Sequence, residues 1–130
     1  MNGYKKANAP KMNMQRMKKI DIAAASGLSG KEVTAAVLFD QGAVKVRRIE
    51  LSAGARIPPC RMRDDVVFAV IAGRVVFRSG RERLEAAAPG AVFIPGGAAA
   101  RSMVAREPSL VLAVLCRREN RAGTRMRGNK

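Results

Sequence analysis

Two glycine- and proline-anchored segments, Gly54 to Gly73 and Gly90 to Arg101, punctuate a succession of short apolar runs and constrain the chain to β-structure. The runs are Val33 to Phe39, Val44 to Leu51, Val66 to Ala72, Arg74 to Arg78, Leu84 to Ala87, Ala91 to Ile94, Ser102 to Ala105 and Leu110 to Cys116. They are rich in β-branched residues, and turn formers separate them, which favours antiparallel strands over helices. A turn is expected at Asp40 to Gly42, and Ser79-Gly80 marks a hairpin within the sixteen residues between Gly73 and Gly90. Gly90 and Gly97 suit strand ends that need positive φ or a close backbone approach, and Pro95 sets φ after Val92-Phe93-Ile94. Residues 17–28 read as a short helical or irregular lead-in.

The joint spacing of the two segments is more specific than either alone. Gly54 is followed by five residues, then Cys60, Arg61 and Met62, three residues, Val66, six residues and Gly73; the second segment runs Gly90, Pro95, Gly97, Ala100. This arrangement resembles the two motifs of the cupin superfamily over about residues 43–116. The resemblance implies an all-β, double-stranded β-helix, the jelly-roll barrel of cupins. It also implies that Cys60, Met62, Val66 and Ala100 stand where a typical cupin has its His, His, Glu and His metal ligands. One core of this size suits 130 residues, 48% of them apolar. The expected layout is a basic, flexible segment at 1–19, the barrel at 20–116 and a basic, disordered tail at 117–130.

Side chains two apart on a strand share a face. If Cys60 and Met62 point inward, so do Val66, Phe68, Val70 and Ala72, which leaves Val67, Ala69 and Ile71 pointing out. Both faces are then apolar, as they are in Val111 to Leu115. An antiparallel strand of this kind needs cover on both sides, so the outer face of the sheet is expected to lie under the N-terminal segment or a second copy of the chain. A homodimer is the expected assembly.

Chemistry is constrained by what is missing. The chain contains no histidine, so the imidazole sites that hold Fe, Mn, Ni or Zn in cupins cannot form, and Ser-His and Cys-His dyads are excluded. Asp64 and Asp65 precede the acidic-ligand position, but with Arg61 and Arg63 they read as a charged turn in solvent. Glu82 and Glu85 alternate with Arg81 and Arg83 in a hairpin, as solvated strand-edge charges do. Gly96 and Gly97 lack the Lys and Ser/Thr of a phosphate loop.

Cys60 and Met62 remain as a soft pair on one face, suited to Cu(I), with Met103 or Cys116 able to complete such a site. The competing reading is packing, Cys60 as a small hydrophobe and Met62 as a core filler. A redox-sensing thiol is a third reading, if Arg56, Arg61 or Arg63 approaches Cys60. The favoured function is a non-catalytic barrel, a sensor or accessory protein, binding a small apolar or mixed ligand among Cys60, Met62, Val66, Phe68, Phe93 and Ala100. No cofactor is expected. The alternative is a metalloprotein or enzyme with a Cu(I) site at Cys60 and Met62.

The net charge of +15 is concentrated at the ends. Residues 1–19 hold six Lys/Arg and no acid, and residues 117–130 hold six against Glu119, leaving +4 for the 97 residues between. Such tails make weak, sequence-independent and salt-sensitive contacts with nucleic acid, and with one Tyr, four Phe and no Trp there are few stacking platforms. No apolar run approaches the roughly 20 residues that span a bilayer, and Ile20 to Ala25 is too short and polar for a signal peptide. Cytoplasmic location, free Cys60 and Cys116, and no membrane partner are the matching expectations.

Overall fold

The computed structural model describes residues 16–22, 32–97 and 99–117. The strands are β1 Val33–Gln41, β2 Val44–Leu51, β3 Arg56–Cys60, β4 Asp65–Ala72, β5 Arg74–Ser79, β6 Glu82–Ala87, β7 Gly90–Ile94, β8 Arg101–Ala105 and β9 Ser109–Cys116. They form a five-stranded sheet, ordered β1-β2-β9-β4-β7, and a four-stranded sheet, ordered β3-β8-β5-β6, all pairs antiparallel. This is the jelly-roll arrangement of a double-stranded β-helix. Among the described residues no helix is long and apolar enough to cross a membrane.

Alternation builds the core. Ile49 and Leu51 from β2, Val66, Phe68 and Val70 from β4, and Val111, Ala113 and Leu115 from β9 are buried on the inner face of the large sheet. Val75, Phe77, Met103 and Ala105 meet them from the small sheet. Phe68 and Phe77 stack between the two sheets with ring centroids 5.2 Å apart, a favourable aromatic spacing.

The parity expected of β4 holds for Val66, Phe68 and Val70, which are buried, and for Val67 and Ile71, which are exposed. It fails at Ala72. A register shift between Val70 and Ala72 pairs Ala72 with Leu110 and turns it off the inner face, where it is exposed; a bulge breaks strict alternation in this way.

β3 was not among the expected strands, because Pro58 and Pro59 hide it. It lies at the edge of the small sheet and pairs only with β8, with a register shift between Ile57 and Cys60. Proline lacks the N–H that a second neighbour would need, so such a sequence is tolerated only at an edge or a bulge.

The N-terminal lead-in is partly described: residues 16–22 form neither helix nor strand, and the rest of 17–28 lies outside the described residues. Arg48 on β2 donates from Nε to the Ile22 carbonyl at 2.6 Å, placing this segment against the outer side of the large sheet. There Arg48 and Glu50 form a buried, two-pronged ion pair, each contact 3.1 Å. Most of the basic ends, 1–15 and 118–130, also lies outside the described residues. Arg117, grouped with the tail above, is held by the barrel: its N–H donates to the Ala43 carbonyl at 2.8 Å, and its guanidinium meets Gly42 O and the Asp40 carboxylate.

Candidate ligand cavity

A cavity of about 130 Å³ lies between the sheets. Cys60, Met62, Val66 and Phe68 line it, four of the six residues assigned to the pocket from sequence. Val66 and Phe68 come from the inner face of β4, Cys60 ends β3, and Met62 follows in the β3–β4 turn. The remaining walls are chiefly hydrocarbon, from Ile49, Ile57, Ile94, Ala113 and Leu115.

The other two assigned residues lie elsewhere. Phe93 belongs to the outer parity of β7: Val92 and Ile94 are buried opposite Phe68 and Val66, while Phe93 faces Val67 outside and is 59% exposed. Ala100 precedes β8, and its carbonyl accepts the Gly80 N–H at 3.0 Å; it does not line the cavity.

The inward positions of β8 are 101, 103 and 105, all buried. Counting along the motif stops one residue short of that register, and one residue is enough to exchange the faces. Arg101 thus occupies the cavity wall. The signal that could have found it is the alternation Arg101, Met103, Ala105.

Arg101 is the residue the sequence reading missed, and it is only 6% exposed. Its Nη1 donates to the Ile94 carbonyl at 3.4 Å and its Nη2 to the Asp64 carbonyl at 2.9 Å. These carbonyls close the end of β7 and the approach to β4, so the guanidinium joins two strands where the sheet ladder runs out. Its Nε is buried and has no partner among the described residues. Burial lowers the guanidinium's proton affinity from its ordinary value, and Cys60, Asp64 and Asp65 oppose the shift. An unsatisfied buried donor costs about 1–3 kcal/mol, so this N–H is a site in want of an acceptor.

Arg47 on β2 is a second cationic member of the wall, and no Asp or Glu lines the cavity. Asp65 lies nearby but is committed elsewhere: its Oδ1 accepts the Gly96 N–H at 2.7 Å, bracing the turn after β7. Of the charged turn expected in solvent, Arg61 and Arg63 are exposed, while Asp64 and Asp65 are half-buried. Across the ladder Cys60 pairs with Arg101, an arginine additional to the Arg56, Arg61 and Arg63 considered from sequence.

The donor set does not fit the metal that cupin barrels hold on histidine and carboxylate. The positions that the motif resemblance assigns to ligands carry a thiol, a thioether and two hydrocarbon side chains, and no cluster of three or more His, Cys, Asp or Glu able to grip a metal occurs among the described residues. Cys60 and Cys116 are free and exposed. Met103 lines the cavity beside Cys60 and Met62, while Cys116, at the end of β9, does not.

No sequence-family model and no curated protein matches the chain. Solved structures do. A Thermus thermophilus protein is 23% identical, with 79% of this chain and 100% of that one covered at a TM-score of 0.70. KdgF from a Halomonas species is 17% identical, covering 81% and 97% at 0.68. A cupin superfamily protein from Desulfitobacterium hafniense is 12% identical, covering 79% and 99% at 0.65. Identities this low speak for architecture alone. The strand order, the packing of the two sheets and these likenesses together show that the chain has the cupin fold.

Proposed function

We propose that the chain is a non-catalytic, small-molecule-binding barrel, a sensor or accessory protein whose ligand sits between the sheets. The observation that carries this reading is the cavity itself. It is formed, its walls are mostly apolar, and a few polar groups converge on it, as in small-ligand sites generally. None of the side chains on it composes a nucleophile and base pair or a paired-carboxylate acid and base. A homodimer formed through the outer face of β4 and β7 accompanies this reading, supported by exposed Val67, Ile71 and Phe93 on that face.

The test is to fill the space. Ala113→Leu adds bulk at a buried position on the cavity wall. The variant should fold with a thermal midpoint near that of the parent while losing chemical-shift changes caused by benzene-sized probes. Equal probe binding by the two proteins would overturn the assignment of the cavity as the ligand site.

One observation favours a second reading, a Cu(I) site: the sulfurs of Cys60, Met62 and Met103 belong to residues around one cavity. Arg47 and Arg101 on the same wall act against it, because a desolvated cation gains nothing from two guanidinium neighbours. Anaerobic titration with Cu(I) is expected to show no stoichiometric uptake. Uptake in the wild type that disappears in Cys60→Ser would establish the copper site and displace the first reading.

A further inference from the structure

We propose that the cavity selects small carboxylate anions with a compact apolar body, and that Arg101 Nε–H is the donor that receives the carboxylate. The inference rests on the small-molecule reading above and deepens it by naming the class of ligand.

Three observations converge. First, the guanidinium is fixed before any ligand arrives: its two terminal nitrogens are held by the Ile94 and Asp64 carbonyls, and its Nε–H is left buried and unpartnered. A preset donor in a water-poor site discriminates well between ligands that can and cannot meet it.

Second, the charge on the wall is one-sided. Arg47 and Arg101 line the cavity with no carboxylate beside them, and Arg47 makes no ion pair among the described residues. Asp64 and Asp65 act on Arg101 from outside the cavity, so the charged groups that a ligand in the cavity meets directly are both cations. Such a wall favours an anion and opposes a cation.

Third, size and surface limit the rest of the molecule. The space is about 130 Å³ and largely hydrocarbon-lined, close to the roughly 150 Å³ of apolar cavities that hold benzene. A phosphate or sulfate ester would bring more oxygens than this small, largely hydrocarbon space can hydrogen-bond, whereas a carboxylate on a phenyl-sized or short branched body leaves carbon against carbon. The predicted ligand therefore has an anionic head at Arg101 and an apolar tail toward Ile49, Phe68 and Leu115.

The test compares benzoate with its neutral isostere benzamide, by NMR titration of the full-length protein with Arg Nε–H resonances observed. Benzoate should bind about tenfold or more tightly than benzamide and should shift the Arg101 Nε–H signal. In Arg101→Met the preference should fall to within about twofold, and Arg101→Lys should restore part of it, an outcome that a purely structural arginine would not produce. Equal binding of benzoate and benzamide by the wild type overturns the carboxylate assignment and leaves the small-molecule reading standing. Binding of neither up to about 10 mM overturns both. If Arg101→Met fails to fold, the wild-type comparison and the Nε–H signal decide the matter alone.

Discussion

At the scale of single residues, one position shows how strictly the backbone dictates side-chain choice. Gly73, in the tight connection between β4 and β5, has φ +88°, and a Cβ built there would lie 2.7 Å from the Ser109 Cα. Two costs therefore add: a left-handed conformation that L-residues disfavour, and a collision with backbone that cannot swing aside. Gly73→Ala should lower unfolding free energy by about 3 kcal/mol, measured by urea denaturation; an unchanged midpoint would mean that this corner does not press on the Pro108–Ser109 turn. Motif spacing made this glycine legible in the sequence. Arg101 was not legible by the same means, because the motif counts to Ala100 and carries no information about which face of β8 that residue occupies.

At the scale of elements, the large sheet is held on its outer side by charge as well as by hydrocarbon. The side chains of Arg48 and Glu50 are 8% and 11% exposed, and Arg48 also holds the Ile22 carbonyl. Removing one partner of such a pair strands the other charge out of water, which is far more damaging than the pair is stabilising. Glu50→Gln is expected to cost about 3 kcal/mol in equilibrium unfolding, and the double replacement Arg48→Met with Glu50→Leu to recover most of that loss. A single variant as stable as the wild type would show that the pair is solvated in solution. The Arg117–Asp40 contact is of another kind. It is exposed, and although the hydrogen bond from Arg117 holds the Asp40 carboxyl below its ordinary value, solvent and salt weaken such pairs. Its effect is to tie the end of β9 to the β1–β2 turn. The hairpins joining β1 to β2 and β5 to β6 followed from turn residues, whereas β3 carries two prolines that break the apolar β pattern and are compatible with a strand only at an edge or bulge.

At the scale of the whole molecule, an apolar strip remains on the outer face of the five-stranded sheet. Val67 and Phe93 are cross-strand partners on β4 and β7, and with Ile71 they are 37%, 59% and 45% exposed. A flat row of alternate apolar side chains is self-complementary about a two-fold axis, and a second copy would bury it symmetrically. Sedimentation velocity should show a concentration-dependent dimer that Phe93→Glu converts to a folded monomer; a monomer at all concentrations would refute the assembly. Sequence by itself determined the β class, the inward set Val66, Phe68 and Val70, and the impossibility of a histidine-held metal, because strand periodicity, turn chemistry and residue absence are local properties of a chain; the barrel followed from the resemblance of its two motifs to those of cupins. Only the tertiary structure decided that Arg101 rather than Ala100 enters the cavity, that Phe93 lies outside it, and that Ala72 leaves the inner face. Each of those outcomes depends on register between strands distant in sequence, and a shift of one residue reverses the face without altering any local preference.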